Sequence, residues 1–131
     1  LVQGPAVGRL KKYKVIRFRG QKVRLEDVGI LTPGIRAVYT GDTRSCKNLE
    51  TICKDADLLI HDATFMDEKE NRMHSGAKEA AKLAKKCNVK ELILTHFSRR
   101  YQDVKPLRDE AKKTFPKTKV AEDGMRLTLK H

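Results

Sequence analysis

The segment LILTHFSRRY, residues 92–101, decides the fold class, because a continuous apolar run ends abruptly in polar and charged side chains. Two other short apolar runs have the same character, RAVYT (36–40) and ADLLIH (56–61). Continuous rather than alternating apolar residues are typical of strands that are covered on both faces. Segments with helical periodicity separate the runs, so the sequence predicts an α/β fold with helices packed on a sheet.

Three segments have the spacing and the end signals of helices. CKNLETICKDA (46–56) is a short one, and HSGAKEAAKLAKKCN (74–88) repeats alanine every third or fourth residue behind a candidate N-cap, Ser75. DVKPLRDEAKKTF (103–115) has Asp103 as its candidate N-cap and a proline in the first turn. The sequence therefore predicts one helix after each buried strand.

Turn signals predict a hairpin near each end of the chain. Alternating residues flank Gly20 in the leading part, and the strand-like segments KTKVAE and MRLTLK flank an Asp-Gly pair at 123–124. A Thr-Pro-Gly stretch closes the leading part. We therefore expect a single partial domain over 1–131, with a leading hairpin segment at 1–34 and the sheet, helices and ligand loops at 35–131.

Composition narrows the class of protein. The chain has 131 residues, the size of one ordinary domain, and no apolar run near the ~20 residues that cross a bilayer. Because this run is lacking and the first twenty residues have no apolar signal core, we expect a cytoplasmic location. The three cysteines form no Cys-x-x-Cys pair, which predicts reduced core thiols. The 29 basic against 17 acidic residues give a net charge of +12, which favours an anionic partner such as nucleic acid, although solvated charged faces also produce such a balance.

The three buried strands end in metal-binding residue types. The exits read YTGD, IHDAT and LTHFS, which place Asp42, Asp62 and His96 after successive strands. Parallel neighbours lie ~4.8 Å apart and end at one edge of the sheet, where α/β folds bind ligands. Carboxylate and imidazole donors at one edge predict a zinc or manganese site.

Each of these residues also has a structural interpretation. Asp42 has the position of a helix N-cap, and His96 has that of a hydrogen-bonded core histidine. His61 points away from Asp62 along an extended strand, which favours a packing role. Two adjacent arginines, Arg99 and Arg100, are typical of a solvated turn. Asp42 and His96 alone are also too few, because catalytic zinc takes three protein ligands and a water.

The ordered motifs YTGDTR, LLIHDATF, HSGAKEAAKLA and LTHFSRRY closely resemble the second half of the tRNase Z family. This family consists of endonucleases of the metallo-β-lactamase fold that trim tRNA precursors on the 3′ side. The leading GPAVGRLKKYKVI is similar to the stretch that the family places after its tRNA-binding arm. The resemblance covers nearly the whole chain and implies the C-terminal half of an αββα sandwich, a mixed sheet covered by helices.

The resemblance also implies roles for individual residues. Asp42 is similar to the aspartate that bridges two zinc ions, and His96 to a histidine ligand of the second zinc. Asp62 and His74 resemble an acid and histidine pair in which the acid orients the histidine, and the histidine protonates the leaving 3′ oxygen or stabilises the phosphate. The sequence departs from the family pattern at Asp62, where glutamate is usual, and at Gly76, where threonine is usual.

Other features of the family are absent from the sequence. Its His-x-His-x-Asp-His run, which supplies most of the zinc ligands, and its protruding arm do not occur here. The resemblance therefore implies that a missing N-terminal half completes the two-zinc site, that the isolated chain is inactive, and that the intact enzyme is a homodimer without membrane contact. Arg99, Arg100 and Tyr101 follow His96 directly and are expected to bind the RNA of a tRNA precursor.

Besides a tRNA 3′-processing nuclease, two other functions are open at this point. One is another metallo-β-lactamase-fold hydrolase, which acts on small phosphodiesters or esters. The other is a non-catalytic, basic fragment that binds RNA or a protein partner.

Overall fold

A computed structural model of the chain describes residues 2–30, 32–66 and 73–130. The described residues divide into two compact units, residues 1–34 and residues 35–131. No helix among these residues is both long enough and apolar enough to cross a membrane.

The first unit contains two helices and a hairpin. Its elements are α1 (Pro5–Tyr13), β1 (Val15–Phe18), β2 (Gln21–Arg24) and α2 (Leu25–Val28). The strands pair antiparallel across a turn with Gly20 at φ 80°, which confirms the predicted hairpin. Helix α1 was not predicted; it begins at Pro5 and buries Ala6 and Leu10, which lie four residues apart on one helical face.

The second unit is a sheet with helices. Its elements are β3 (Ala37–Tyr39), α3 (Lys47–Cys53), β4 (Leu58–Asp62), α4 (Ala77–Lys86), β5 (Leu92–Thr95), α5 (Lys105–Thr114) and β6 (Thr118–Val120). The sheet has the order β3-β4-β5-β6, and every neighbouring pair is parallel. This arrangement confirms the α/β prediction.

The main core lies between the sheet and helices α4 and α5. Ala77, Ala80, Ala81 and Ala84 are fully buried, and their small side chains let α4 pack closely on the sheet. Leu59, Leu92 and Leu94 of the central strands belong to the same cluster, as do Leu107 and Ala111 of α5. The two central strands are therefore held in place on the face that the helices cover, which fixes the position of their carboxyl ends.

Five sequence predictions about local structure were wrong. Val104, not Asp103, is the N-cap of α5, although the Asp103 carboxylate accepts a hydrogen bond from the Lys105 amide at 2.9 Å. MRLTLK (125–130) forms no strand, so β6 pairs only with β5, and the Asp-Gly turn closes no hairpin. Ser75 is not the N-cap of α4; Gly76 holds that position, and the Ser75 hydroxyl bonds elsewhere. Cys46 is exposed rather than a core thiol, although all three cysteines are free. Strand β3 is not covered on both faces, because Ala37 and Tyr39 are exposed at the edge of the sheet.

Candidate metal and catalytic site

The candidate site lies at the carboxyl ends of β3, β4 and β5. Gly41 has φ 64°, a left-handed conformation that favours glycine, and this turn carries the chain from β3 into Asp42. Asp62 is the last residue of β4. His96 follows the last residue of β5 and also has a left-handed backbone, with φ 58°, so it lies just beyond the strand rather than in it.

The carboxylate of Asp62 organises the site from a fully buried position. Its Oδ1 accepts hydrogen bonds from the Thr64 amide at 2.8 Å and the Thr64 hydroxyl at 2.6 Å. Its Oδ2 accepts from the Thr43 amide at 3.0 Å and is 2.9 Å from His74 Nδ1. Burial raises the pKa of Asp62, but the hydrogen bonds from Thr64 and His74 outweigh burial and hold the pKa below its ordinary value. Asp62 is therefore an anion with four hydrogen bonds.

Thr64 determines which nitrogen of His96 faces the site. Its hydroxyl has one proton, and the ionised Asp62 carboxylate can only accept, so the hydroxyl donates to Asp62. The hydroxyl oxygen lies 2.7 Å from His96 Nδ1 and must accept from that nitrogen. Nδ1 therefore carries a proton, and in the neutral tautomer the lone pair is on Nε2.

His96 Nε2 lies 3.2 Å from Asp42 Oδ2, as predicted from the strand exits. A nitrogen lone pair and a carboxylate oxygen repel at this distance unless a proton or a cation lies between them. Two donors that each lie about 2.1 Å from one zinc ion are about 3.0–3.4 Å apart at ordinary coordination angles. Asp42 and His96 therefore fit a shared divalent metal, and Thr64 supplies the supporting hydrogen bond that metal-binding histidines usually have.

A second set of donors is close enough for a metal: one ligand atom each of Asp62, His74 and His96 lies within 4.8 Å of the others. The hydrogen bonds argue against Asp62 as a ligand, because all four of its acceptor positions are already used. In the part of the chain that the structure describes, Asp42 and His96 are therefore the pair whose donor atoms could hold a shared metal.

His74 lies beside these donors and is oriented by Asp62. Its ring stacks on that of His96, with centroids 5.0 Å apart and planes inclined by 23°. The Nδ1 proton points to Asp62, which leaves Nε2 as the other ring nitrogen for a substrate. The aspartate that replaces the usual glutamate is long enough, since it is 2.9 Å from the histidine.

Sequence reasoning missed Thr43 and Thr64 and assigned Ser75 a capping role that it does not have. The Ser75 hydroxyl donates to the Thr43 carbonyl at 2.8 Å and so ties the segment before α4 to the loop after β3. One signal for Thr64 was available, because in Asp-x-Thr the aspartate often accepts from the amide two residues later. Gly76 has φ −92°, a conformation open to other residues, so the backbone does not require glycine where threonine is usual.

His61 is a packing residue, as its strand position predicted. It lies opposite Leu94 in the register and is fully buried. Its Nδ1 is 2.8 Å from the Asp62 carbonyl oxygen, and its Nε2 has no hydrogen-bond partner among the described residues. Burial lowers the pKa of His61, which keeps the ring neutral.

The three residues expected to bind RNA lie on the loop after His96. Arg99 and Arg100 are exposed, and the guanidinium of Arg100 lies 4.9 Å from the centre of the Phe65 ring. Tyr101 is half-buried, and its hydroxyl accepts a hydrogen bond from the Met66 amide at 3.1 Å. Tyr101 thus connects the loop after β5 to the loop after β4.

Three comparisons with known proteins give matches to proteins of the beta-lactamase superfamily and to Ribonuclease Z. A model of the beta-lactamase superfamily domain matches residues 21–97. The chain is 46% identical over 132 residues to Ribonuclease Z of Methanosarcina acetivorans, covering 96% of this chain and 43% of the relative. Among solved structures, human tRNase Z, short form, is 32% identical with a TM-score of 0.54, covering 84% of this chain and 37% of that one. The metallo-beta-lactamase fold protein YhfI from Bacillus subtilis is 31% identical with a TM-score of 0.59, covering 66% and 36%. The chain therefore spans less than half the length of these relatives.

Proposed function

The chain belongs to the beta-lactamase superfamily, and from this premise we propose that it is part of a zinc-dependent endoribonuclease that cleaves tRNA precursors on the 3′ side. The observation that carries the proposal is the hydrogen-bonded series from His74 through Asp62 and Thr64 to His96. The Nε2 atom of His96 lies 3.2 Å from Asp42 Oδ2. This arrangement joins a candidate proton donor to a candidate metal ligand pair. The similarity to proteins named Ribonuclease Z supports tRNA as the substrate.

In this proposal, Asp42 and His96 hold metal. Zinc, when bound, supplies Lewis-acid activation of water and charge neutralisation at a phosphodiester. Two protein ligands are fewer than a catalytic zinc site requires, so the other ligands of a two-zinc centre come from a segment outside this chain. The relatives, of which the chain covers 43–44%, have sequence to supply it.

His74 acts on the leaving group. Its Nδ1 donates a hydrogen bond to the anionic Asp62, which fixes the ring and leaves Nε2 as the nitrogen that faces the leaving group. From Nε2 a proton passes to the 3′ oxygen as the phosphorus–oxygen bond breaks. Asp62 remains ionised and fixes the ring orientation, and its other three hydrogen bonds hold it in place.

Basic residues beside the site bind the substrate. Arg99 and Arg100 follow the proposed ligand His96 by a few residues and are exposed, so their guanidinium groups are within reach of phosphates near the cut. We extend the proposal to a cytoplasmic homodimer. The free thiols support a reducing compartment, and the resemblance to tRNase Z implies the dimer.

A chimera tests the function. This chain replaces the matching stretch of the Methanosarcina acetivorans Ribonuclease Z, and cleavage of a precursor tRNA is compared with hydrolysis of bis(p-nitrophenyl) phosphate. We expect zinc-dependent 3′ cleavage of the precursor, a loss of at least about a hundredfold for His74→Ala, and no effect of Lys82→Gln on the outer face of α4. Hydrolysis of the small diester without precursor cleavage would refute the tRNA assignment.

The isolated chain is the second part of that test. We expect it to bind less than one zinc ion per chain in calorimetric titration and to leave precursor tRNA uncut, because only two donors are present. Tight binding of two zinc ions by these residues alone would overturn the ligand assignment.

A further inference from the structure

A basic cavity lies at the amino ends of the sheet strands, whereas the candidate site lies at their carboxyl ends. Its volume is about 520 Å³, and it is open to solvent. Asp57, Glu91 and Lys117 line it, and they directly precede β4, β5 and β6, so it faces the amino ends of these strands. We call it the lysine basin and define it by the lysines that line it: Lys90, Lys112, Lys117, Lys119 and Lys130.

The acidic groups in the basin are already paired. Lys90 Nζ lies 2.6 Å from Asp57, and the hydrogen bond from Lys90 holds the pKa of Asp57 below its ordinary value. Glu91 pairs with Lys119. With five lysines against two carboxylates, the lining has three positive charges in excess.

The excess charge comes from three separate parts of the chain. Lys112 lies on α5, Lys117 precedes β6, and Lys130 belongs to the segment near the end of the chain. All three are exposed, and none has an acidic partner within the described residues. Charges that converge from separate elements on an open surface suit an extended polyanion, because flexible ammonium groups contact successive phosphates as point charges.

The separation of the two edges fits a bound nucleic acid. Strand β4 has five residues, so its ends are about 13 Å apart at ~3.3 Å per residue. One strand of a duplex advances about 3.4 Å per nucleotide, so this distance corresponds to about four nucleotides. If the scissile phosphate of an RNA is bound at the carboxyl ends of the strands, backbone phosphates about four nucleotides away therefore reach the amino ends.

We propose that the lysine basin binds the sugar–phosphate backbone of RNA as a second contact, remote from the cleavage site. The inference rests on the proposed function, since it takes the bound polyanion to be RNA. Its contribution is sequence-independent affinity, because lysine contacts to phosphate carry no base information.

The test compares two triple variants of this chain, K112Q/K117Q/K130Q in the basin and K54Q/K82Q/K85Q on other exposed surfaces. Binding of a fluorescein-labelled RNA hairpin of twelve base pairs is followed by anisotropy between 50 and 200 mM KCl. Each lost phosphate contact lowers the slope of log K against log salt by about 0.9, so we expect a decrease of about 2 to 3 for the basin variant. The control variant should change the slope by less than about 1. Equal unfolding midpoints would show that both variants are folded.

Equal slopes in the two variants, or no RNA binding by the unmodified chain at 50 mM KCl, would overturn the proposal. A basin that binds inorganic pyrophosphate, with RNA binding unchanged by the three substitutions, would assign it to a small anion and would also refute the inference. In the chimera, the basin substitutions should raise KM for precursor tRNA and leave kcat unchanged. If the chimera fails to cleave while the slope effect persists, the proposed function is wrong and the basin assignment stands.

Discussion

Replacing Thr64 with valine removes one hydroxyl from the candidate site and keeps the size and branching of the side chain. The hydroxyl makes two short contacts, 2.6 Å to Asp62 Oδ1 and 2.7 Å to His96 Nδ1. The Thr64 amide keeps its own bond to Asp62, so the loop backbone is retained. The substitution therefore isolates the hydroxyl, which connects the acid to the histidine.

The expected loss follows from the types of hydrogen bond. A bond to a charged group contributes about 1.5–3 kcal/mol, and a bond between neutral groups about 0.5–1.5 kcal/mol. Thr64 is buried, so water cannot fully replace either bond. We expect Thr64→Val to lower the free energy of unfolding by about 2–4 kcal/mol. Thr64→Ser keeps the hydroxyl and loses one methyl group, which costs about 1 kcal/mol.

Urea unfolding of the isolated chain at pH 7, followed by circular dichroism, measures both variants. The slope with denaturant should be unchanged while the midpoint falls further for valine than for serine. In the chimera, valine should also weaken zinc binding about 10- to 100-fold, since the histidine loses its orienting partner. Equal destabilisation by the two substitutions would show that the hydroxyl contributes nothing to stability and would refute the two hydrogen bonds assigned to it.

Three further predictions concern other parts of the chain. Asp62→Asn should lower the free energy of unfolding by about 3 kcal/mol at pH 7. Because the pKa of Asp62 is lowered in the folded state, the stability that its carboxylate contributes is present above pH ~4 and is lost at lower pH. Urea unfolding curves of the two proteins should therefore converge in acid. The exposed Cys46 should react rapidly with a thiol reagent, whereas the buried Cys53 and Cys87 should react only after unfolding. Burial raises the pKa of Cys53 to about 11 and also raises the pKa of Cys87, so both thiols stay protonated. Rapid reaction of three thiols per chain would contradict this. Tyr101→Phe removes the bond to the loop after β4 and should cost about 1 kcal/mol in urea unfolding with RNA affinity unchanged, while a loss of affinity alone would assign Tyr101 to RNA binding.

Tyr101 shows that a residue near a proposed ligand also has a structural role. The prediction placed it with Arg99 and Arg100 as an RNA contact, because all three follow His96. Its hydroxyl accepts a hydrogen bond from the Met66 amide, 35 residues away in the chain, and its role in RNA binding stays a prediction. The two loops that flank the site are thereby joined, and the arginines remain exposed on the same loop.

The sequence by itself determined the elements that repeat a local signal. Continuous apolar runs specified β3, β4 and β5, and the alanine spacing specified α4. Both patterns can be recognised from the sequence because they recur among residues that are close together in the chain. Strand exits also predicted that Asp42 and His96 meet, since parallel strands end together at one edge.

Only the tertiary structure decided how the polar groups pair. The four bonds of Asp62 come from residues up to 19 positions away, and the direction of the Thr64 hydroxyl follows from what its two partners can donate. The same holds for the segment 125–130, whose alternating pattern predicted a strand. A strand requires a partner with free backbone groups, and β6 pairs with β5 alone, so a local pattern could not decide its structure. Pairings between distant residues leave no periodic trace in one sequence, which is why the bonds through Thr43 and Thr64 were not predicted although Asp42, Asp62, His74 and His96 were.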